Sequence, residues 1–105
     1  MVKHIVLWNF AEGLSSEEKA EAALKMETLL VPIKNLVPGA VEIQVIQNQL
    51  LSSNREIALI STFETVEALE TYQKHPAHVE AGNYVRSVTC DRACIDFEFE
   101  AESYS

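Results

Sequence analysis

Two periodicities divide the chain. Residues 2 to 10, Val-Lys-His-Ile-Val-Leu-Trp-Asn-Phe, are rich in β-branched and aromatic types and contain no breaker, so they predict a strand. Alternation puts His4, Val6, Trp8 and Phe10 on one face and Ile5 and Leu7 on the other. Both faces carry apolar groups, and both need cover. Gly13 ends the strand, and Ser15 with Glu18 has the spacing of a capping box, so a helix is predicted from about Ser16. Ala22, Ala23, Met26, Leu29, Leu30 and Ile33 recur at helical spacing, with Glu18, Glu21 and Lys25 turned outward. Met26 is a packing residue on this pattern, not a cofactor ligand. Pro32 predicts a kink or a restart as a short turn through Leu36, and Pro38-Gly39 closes the element.

From Ala40 to Asn48, Val41, Ile43 and Val45 alternate with Glu42 and Gln44, with Ile46 out of pattern. This is a half-buried strand. A polar stretch from Asn48 to Asn54 reads as a hairpin loop, and Ile57 to Phe63 as its antiparallel partner. Thr65 caps a second helix whose Val66, Leu69, Tyr72 and Gln73 are expected inward and whose Glu67, Glu70 and Lys74 are expected in water. Proline suits the first turn of a helix and not its interior, so that helix should end near Lys74 and a new one start at Pro76. His78, Ala81, Gly82 and Val85 then share one stripe. Alternation returns from Thr89 to Glu100, with Ala93, Ile95, Phe97 and Phe99 on one face and Cys94, Asp96 and Glu98 on the other. Ala101 to Ser105 is a polar tail expected to fray.

The order β-α-β-β-α-β predicts an α+β, ferredoxin-like sandwich over residues 1–105: one domain, with helices on one face of a four-stranded antiparallel sheet. The other face would expose Ile5, Leu7 and their neighbours as a patch larger than monomers usually tolerate. A homodimer packed sheet against sheet is the expected remedy.

Charge narrows the partners. Eight basic against sixteen acidic side chains leave a net charge of −8, with no basic stripe to neutralise phosphates, which argues against nucleic acid and against anionic membranes. No apolar run approaches the ~20 residues of a membrane span, no leader is recognised, and a reducing cytoplasm is the expected compartment. Cys90 and Cys94, four apart in a strand, would lie roughly 13 Å apart on one face at about 3.3 Å per residue. That exceeds disulfide reach, and small buried or half-buried thiols are expected instead.

The polar chemistry concentrates between Tyr72 and Arg86. His75 and His78 flank the Pro76 break. His78, in the first turn of the new helix, lies by the positive dipole end, which favours its neutral, proton-accepting form. His75 at the junction is most simply a cap. Tyr72, His78 and His4 can converge above the sheet, either as a site or as a buried network that fixes the helix break. A metal held by His4, His75 and His78 is disfavoured by the intervening proline and the lack of a nearby carboxylate, so neither metal nor cofactor is expected.

His4 in its opening strand, together with Tyr72-x-x-His75-Pro76-Ala77-His78-Val79, resembles the stress-responsive A/B barrel (Dabb) family. Thr62-Phe63-Glu64 leading into Val66-Glu67-Ala68-Leu69, and Arg86-Ser87, extend the likeness over nearly the whole chain. The resemblance implies a dimeric α+β barrel with a cavity between sheet and helices in each subunit, here walled by His4, Val6, Trp8, Ala81 and Gly82. Many members have no assigned reaction. In a plant polyketide cyclase of the family a histidine is the general base and a tyrosine holds the substrate, and the matching positions are His78 and Tyr72. That cyclase has aromatic residues where this chain has Ala81 and Thr89, so the substrate does not carry over.

Three readings follow. The favoured one is a dimer binding a small apolar or aromatic molecule. The second is a cofactor-independent cyclase, lyase or oxygenase with His78 as base. The third is a structural or stress-protective oligomer, which a closed cavity without polar groups would favour.

Overall fold

The computed structural model describes residues 1–100, and the tail from Ala101 to Ser105 lies outside them. The chain runs through β1 (Val2–Phe10), α1 (Ser16–Leu30), a 3-10 turn (Val31–Asn35), β2 (Ala40–Gln47), β3 (Ile57–Phe63), α2 (Val66–Lys74), α3 (Pro76–Val88) and β4 (Thr89–Glu98). The strands form one antiparallel sheet in the order β2-β3-β1-β4, and the helices lie on one face of it. This is the ferredoxin-like arrangement the pattern predicted.

Local signals place the helices. The Ser15 hydroxyl accepts from the Glu18 amide at 3.1 Å, and the Ser15 amide donates to the Glu18 carboxylate at 3.0 Å. This closes the box at the head of α1, a cap worth about 1 kcal/mol. The Thr65 hydroxyl accepts from the Ala68 amide at 3.1 Å and starts α2. Pro32 ends the regular helix and turns the chain into the 3-10 segment, as expected.

The core lies between helices and sheet. From β1, every second residue from Val2 to Phe10 is buried, and Met26, Leu30, Leu69 and Val85 meet that face from the helices. Phe63 and Met26 are wholly buried. At about 1.5–3 kcal/mol for each large side chain removed from water, this layer is the main source of cohesion.

Three expectations need correcting. Val66 and Gln73 are exposed, because the inward stripe of α2 runs through Ala68, Leu69 and Tyr72 instead. Ala68 on that stripe packs on Gly39, whose left-handed φ of 89° no β-carbon tolerates easily. An added β-carbon at Gly39 would stand 2.8 Å from that of Ala68, so backbone and helix meet through their smallest residues. Val41 is exposed because the β2–β3 register shifts between Ala40 and Glu42, leaving it as an extra residue. Cys94, expected half-buried, is exposed, as is β4 from Asp91 to Glu98, because the strand lies at the sheet edge. Both cysteines are free.

The opposite sheet face is apolar. Ile5 pairs with Ile60 and Ile95, and Leu7 with Ala58 and Ala93. Ile95 is 59% exposed and Phe97 41%. Among the described residues no helix is long and apolar enough to cross a membrane.

Candidate functional site

Pro76 organises the polar residues. The His75 ring accepts from the Ala77 amide at 3.0 Å while the His75 backbone N–H donates to the Tyr72 carbonyl at 3.2 Å. His75 thus ends α2 and caps α3, and its imidazole is committed to the turn. Three residues on, His78 sits in the first turn of α3, half-buried, with its ring close to Tyr72: the centroids are 4.5 Å apart and the planes meet at 59°. Desolvation holds the His78 pKa below the usual imidazole value, opposed by a hydrogen bond to the Gln73 backbone and helped by the nearby charges of His4, Arg86 and Arg92. A neutral ring, able to accept a proton, is the favoured form near neutral pH.

Tyr72 lies deeper. It is wholly buried, packs on Phe63 with centroids 5.1 Å apart and faces His4 edge-on at 6.3 Å. Its hydroxyl has no hydrogen-bond partner among the described residues. Burial drives its pKa far above the ordinary phenol value, so it remains a protonated donor.

His4 projects from β1 beneath both rings and is 3% exposed. Directly across the β1–β4 ladder stands Asp96, whose carboxylate is hydrogen-bonded to His4 Nδ1. In the neutral ring this makes Nδ1–H the donor and leaves Nε2 as the accepting nitrogen.

A cavity of about 250 Å³ opens beside these groups. Val6 and Trp8 from β1, Leu59 from β3, Leu30 from α1 and Val85 from α3 give it apolar walls. His4 and His78 contribute the imidazoles, and Gly82, Arg86 and Arg92 complete the lining. So His4, Val6, Trp8, Gly82 and His78 all reach the wall. Tyr72 and Ala81 do not: both are buried in the core, and Tyr72 touches the site through the edges of the two histidines. A larger depression of about 500 Å³ beside the loop after β2 is lined by Leu7, Ile46, Leu50, Arg55 and Ala58 and holds none of the histidines.

Asp96, Arg92 and Leu59 were not anticipated as site residues. For Asp96 a signal existed, since its side of the final strand and His4's side of the first were each predicted, and pairing the two strands brings them together. Arg92, two residues before Cys94, shares that side by the same alternation, and an irregularity begins only next to it. The β1–β4 register passes from Leu7 opposite Ala93 to Asn9 opposite Cys90, and Asp91 absorbs the extra residue at a φ of 53°. Periodicity alone does not reveal such a bulge.

The metal-ligating atoms that come together among the described residues belong to His4, Cys94 and Asp96, all within 4.8 Å of one another. The disfavoured trio of His4, His75 and His78 is not among them, and the His75 ring serves the cap. Partial desolvation and then the Asp96 charge raise the Cys94 pKa, favouring the thiol over the thiolate that a metal needs.

A family model described as Stress responsive A/B Barrel Domain matches residues 2–99. Among solved structures, a dimeric protein of unknown function and ferredoxin-like fold from Bacteroides fragilis is 31% identical, covering 93% of this chain and 95% of that one at a TM-score of 0.84. An Arabidopsis thaliana protein is 25% identical, covering 96% and 97% at a TM-score of 0.76. A Dabb family protein with a ferredoxin-like fold from Mesorhizobium loti, 15% identical, covers 95% and 97% at 0.72 and shares the fold. Among curated proteins no significant sequence match was found.

Proposed function

Since the chain belongs to the stress responsive A/B barrel domain family, we propose that it works as a homodimer, each subunit of which holds a small apolar or aromatic molecule in the cavity between sheet and helices. The observation that carries this is the cavity itself: about 250 Å³, walled by aliphatic side chains and Trp8, with His4, His78, Arg86 and Arg92 supplying polar groups to its lining. An apolar body gains from burial there, and convergent polar groups fix its orientation. The dimer is supported by the exposed apolar sheet face, Ile95 being 59% and Phe97 41% exposed, and by the dimeric relative from Bacteroides fragilis. We place the protein in a reducing cytoplasm, consistent with its two free cysteines.

A second reading has an observation of its own. His78 is held neutral by desolvation against a phenol that burial keeps protonated, which suits abstraction of a proton from a bound ligand by His78. Tyr72, buried behind the wall, would then orient His78 and donate from its unpartnered hydroxyl, while Asp96 fixes the His4 ring.

Filling the cavity tests the binding role. Gly82→Leu projects into it, and the first atom its β-carbon meets is the flexible end of Arg86 at 3.3 Å, so the fold should survive. Quenching of Trp8 fluorescence by 1-octanol should be seen in the parent and lost in this variant. Equal quenching in both would sink the assignment.

A further inference from the structure

Resting on that reading of the cavity, we infer that its ligand is a small carboxylic acid, with the apolar body inside and the carboxylate gripped by Arg86 and Arg92. The chain has sixteen acidic and eight basic residues, and only three arginines. Two of those three line this one cavity, and among the described residues no Asp or Glu lines it. In a protein with a net charge of −8, that concentration of positive charge runs against the composition of the whole surface.

Each guanidinium is placed by a separate feature of the backbone. Arg86 lies back over Gly82, where a β-carbon would stand 3.3 Å from Nη1, and its Nη2 donates to the Asn83 side chain. That bond uses one of the five N–H donors of the guanidinium. Arg92 stands on the Cys94 and Asp96 side of β4 by alternation, next to the bulge at Asp91, and it reaches the Cys94 thiol. Among the described residues neither arginine forms an ion pair with a carboxylate. The nearby Asp96 is engaged by His4. Two cationic forks without acidic partners at the rim of an apolar hollow match an apolar acid, because a planar carboxylate accepts from a guanidinium in bidentate fashion. Both arginines act on the His78 ring and line the same cavity, so a carboxylate held between them would stand near that imidazole.

Trp8 is the single tryptophan and lines the cavity, so its fluorescence reports occupancy. The parent is titrated with octanoate and with 1-octanol, which share an apolar body and differ in charge. Octanoate should bind more tightly by about tenfold or more, the size of one charge-assisted hydrogen bond, and added salt should shrink that advantage. In Arg86→Met and Arg92→Met, checked for parental circular dichroism, the ratio of octanoate to octanol affinity should fall by about tenfold each. Equal binding of the two probes in the parent would overturn the inference while leaving the cavity reading intact. So would a ratio unmoved in both variants. Quenching by neither probe would remove the binding cavity, and this inference with it.

Discussion

β1 and β4 lie side by side in one sheet, paired from Val2 opposite Glu98 to Phe10 opposite Thr89 with one bulge between, yet they occupy different solvents. Along β1 every inward side chain is buried, whereas on β4 everything from Asp91 to Glu98 is exposed. The strands do not differ in regularity enough to explain this. What differs is position: β1 is flanked by β3 and covered by helices, and β4 is the edge. The His4 to Asp96 hydrogen bond crosses this boundary, from an imidazole that is 3% exposed to a carboxylate that is 43% exposed. The cavity opens at the same seam. Hydrophobic cover thins there, while the buried side still holds the histidines in place.

The contrast can be broken most strongly on the covered side. Phe63→Ala, at a wholly buried position under Tyr72, should lower unfolding stability by about 3–5 kcal/mol in urea titrations. Cys94→Ala, on the same sheet face but on the exposed strand, should change it by less than about 0.5 kcal/mol. Comparable losses for the two would refute the picture of an uncovered edge.

At the seam the effect should be intermediate. Asp96→Ala leaves a buried imidazole without its acceptor, and a loss of about 1–3 kcal/mol is expected from the same titration. Tyr72→Phe probes the buried side in the opposite sense. Its hydroxyl has no partner among the described residues, so removing it should leave stability unchanged or raise it by roughly 1 kcal/mol. A marked loss would mean that the hydroxyl is bonded in solution.

The smallest effect concerns protons. The folded His78 pKa is lowered by desolvation, so between that value and the ordinary one the unfolded chain binds more protons. The His78 contribution is therefore fully present above the ordinary imidazole pKa and is lost as pH falls through this window. Nuclear magnetic resonance titration should place the His78 midpoint below 6.5, and His78→Ala should flatten this part of the stability profile. A midpoint at or above the ordinary value would contradict the desolvated placement.

Much of this architecture could be read from residue order. The alternation in β1, the capping box at Ser15 and the proline break at Pro76 are local signals, and each fixed an element and the side its chains face. His75 as a cap and His78 in a first turn followed from Pro76 alone. What escaped was non-local. The close seat of α2 on the turn before β2 depends on Ala68 meeting Gly39, and the exposure of β4 depends on its place at the sheet edge. The depth of Tyr72 depends on packing from Phe63 and two histidines on other elements. No periodicity within one segment carries such information.

The contact between Gly39 and Ala68 has a consequence at a distance. With 2.8 Å between an imagined methyl on one and the real methyl on the other, the turn before β2 acts as a hinge stop for α2. Any bulk added there would lever the helix off its seat, and Tyr72, one turn further along, would travel with it. The packing behind the cavity wall is thus answerable to two of the smallest side chains in the molecule.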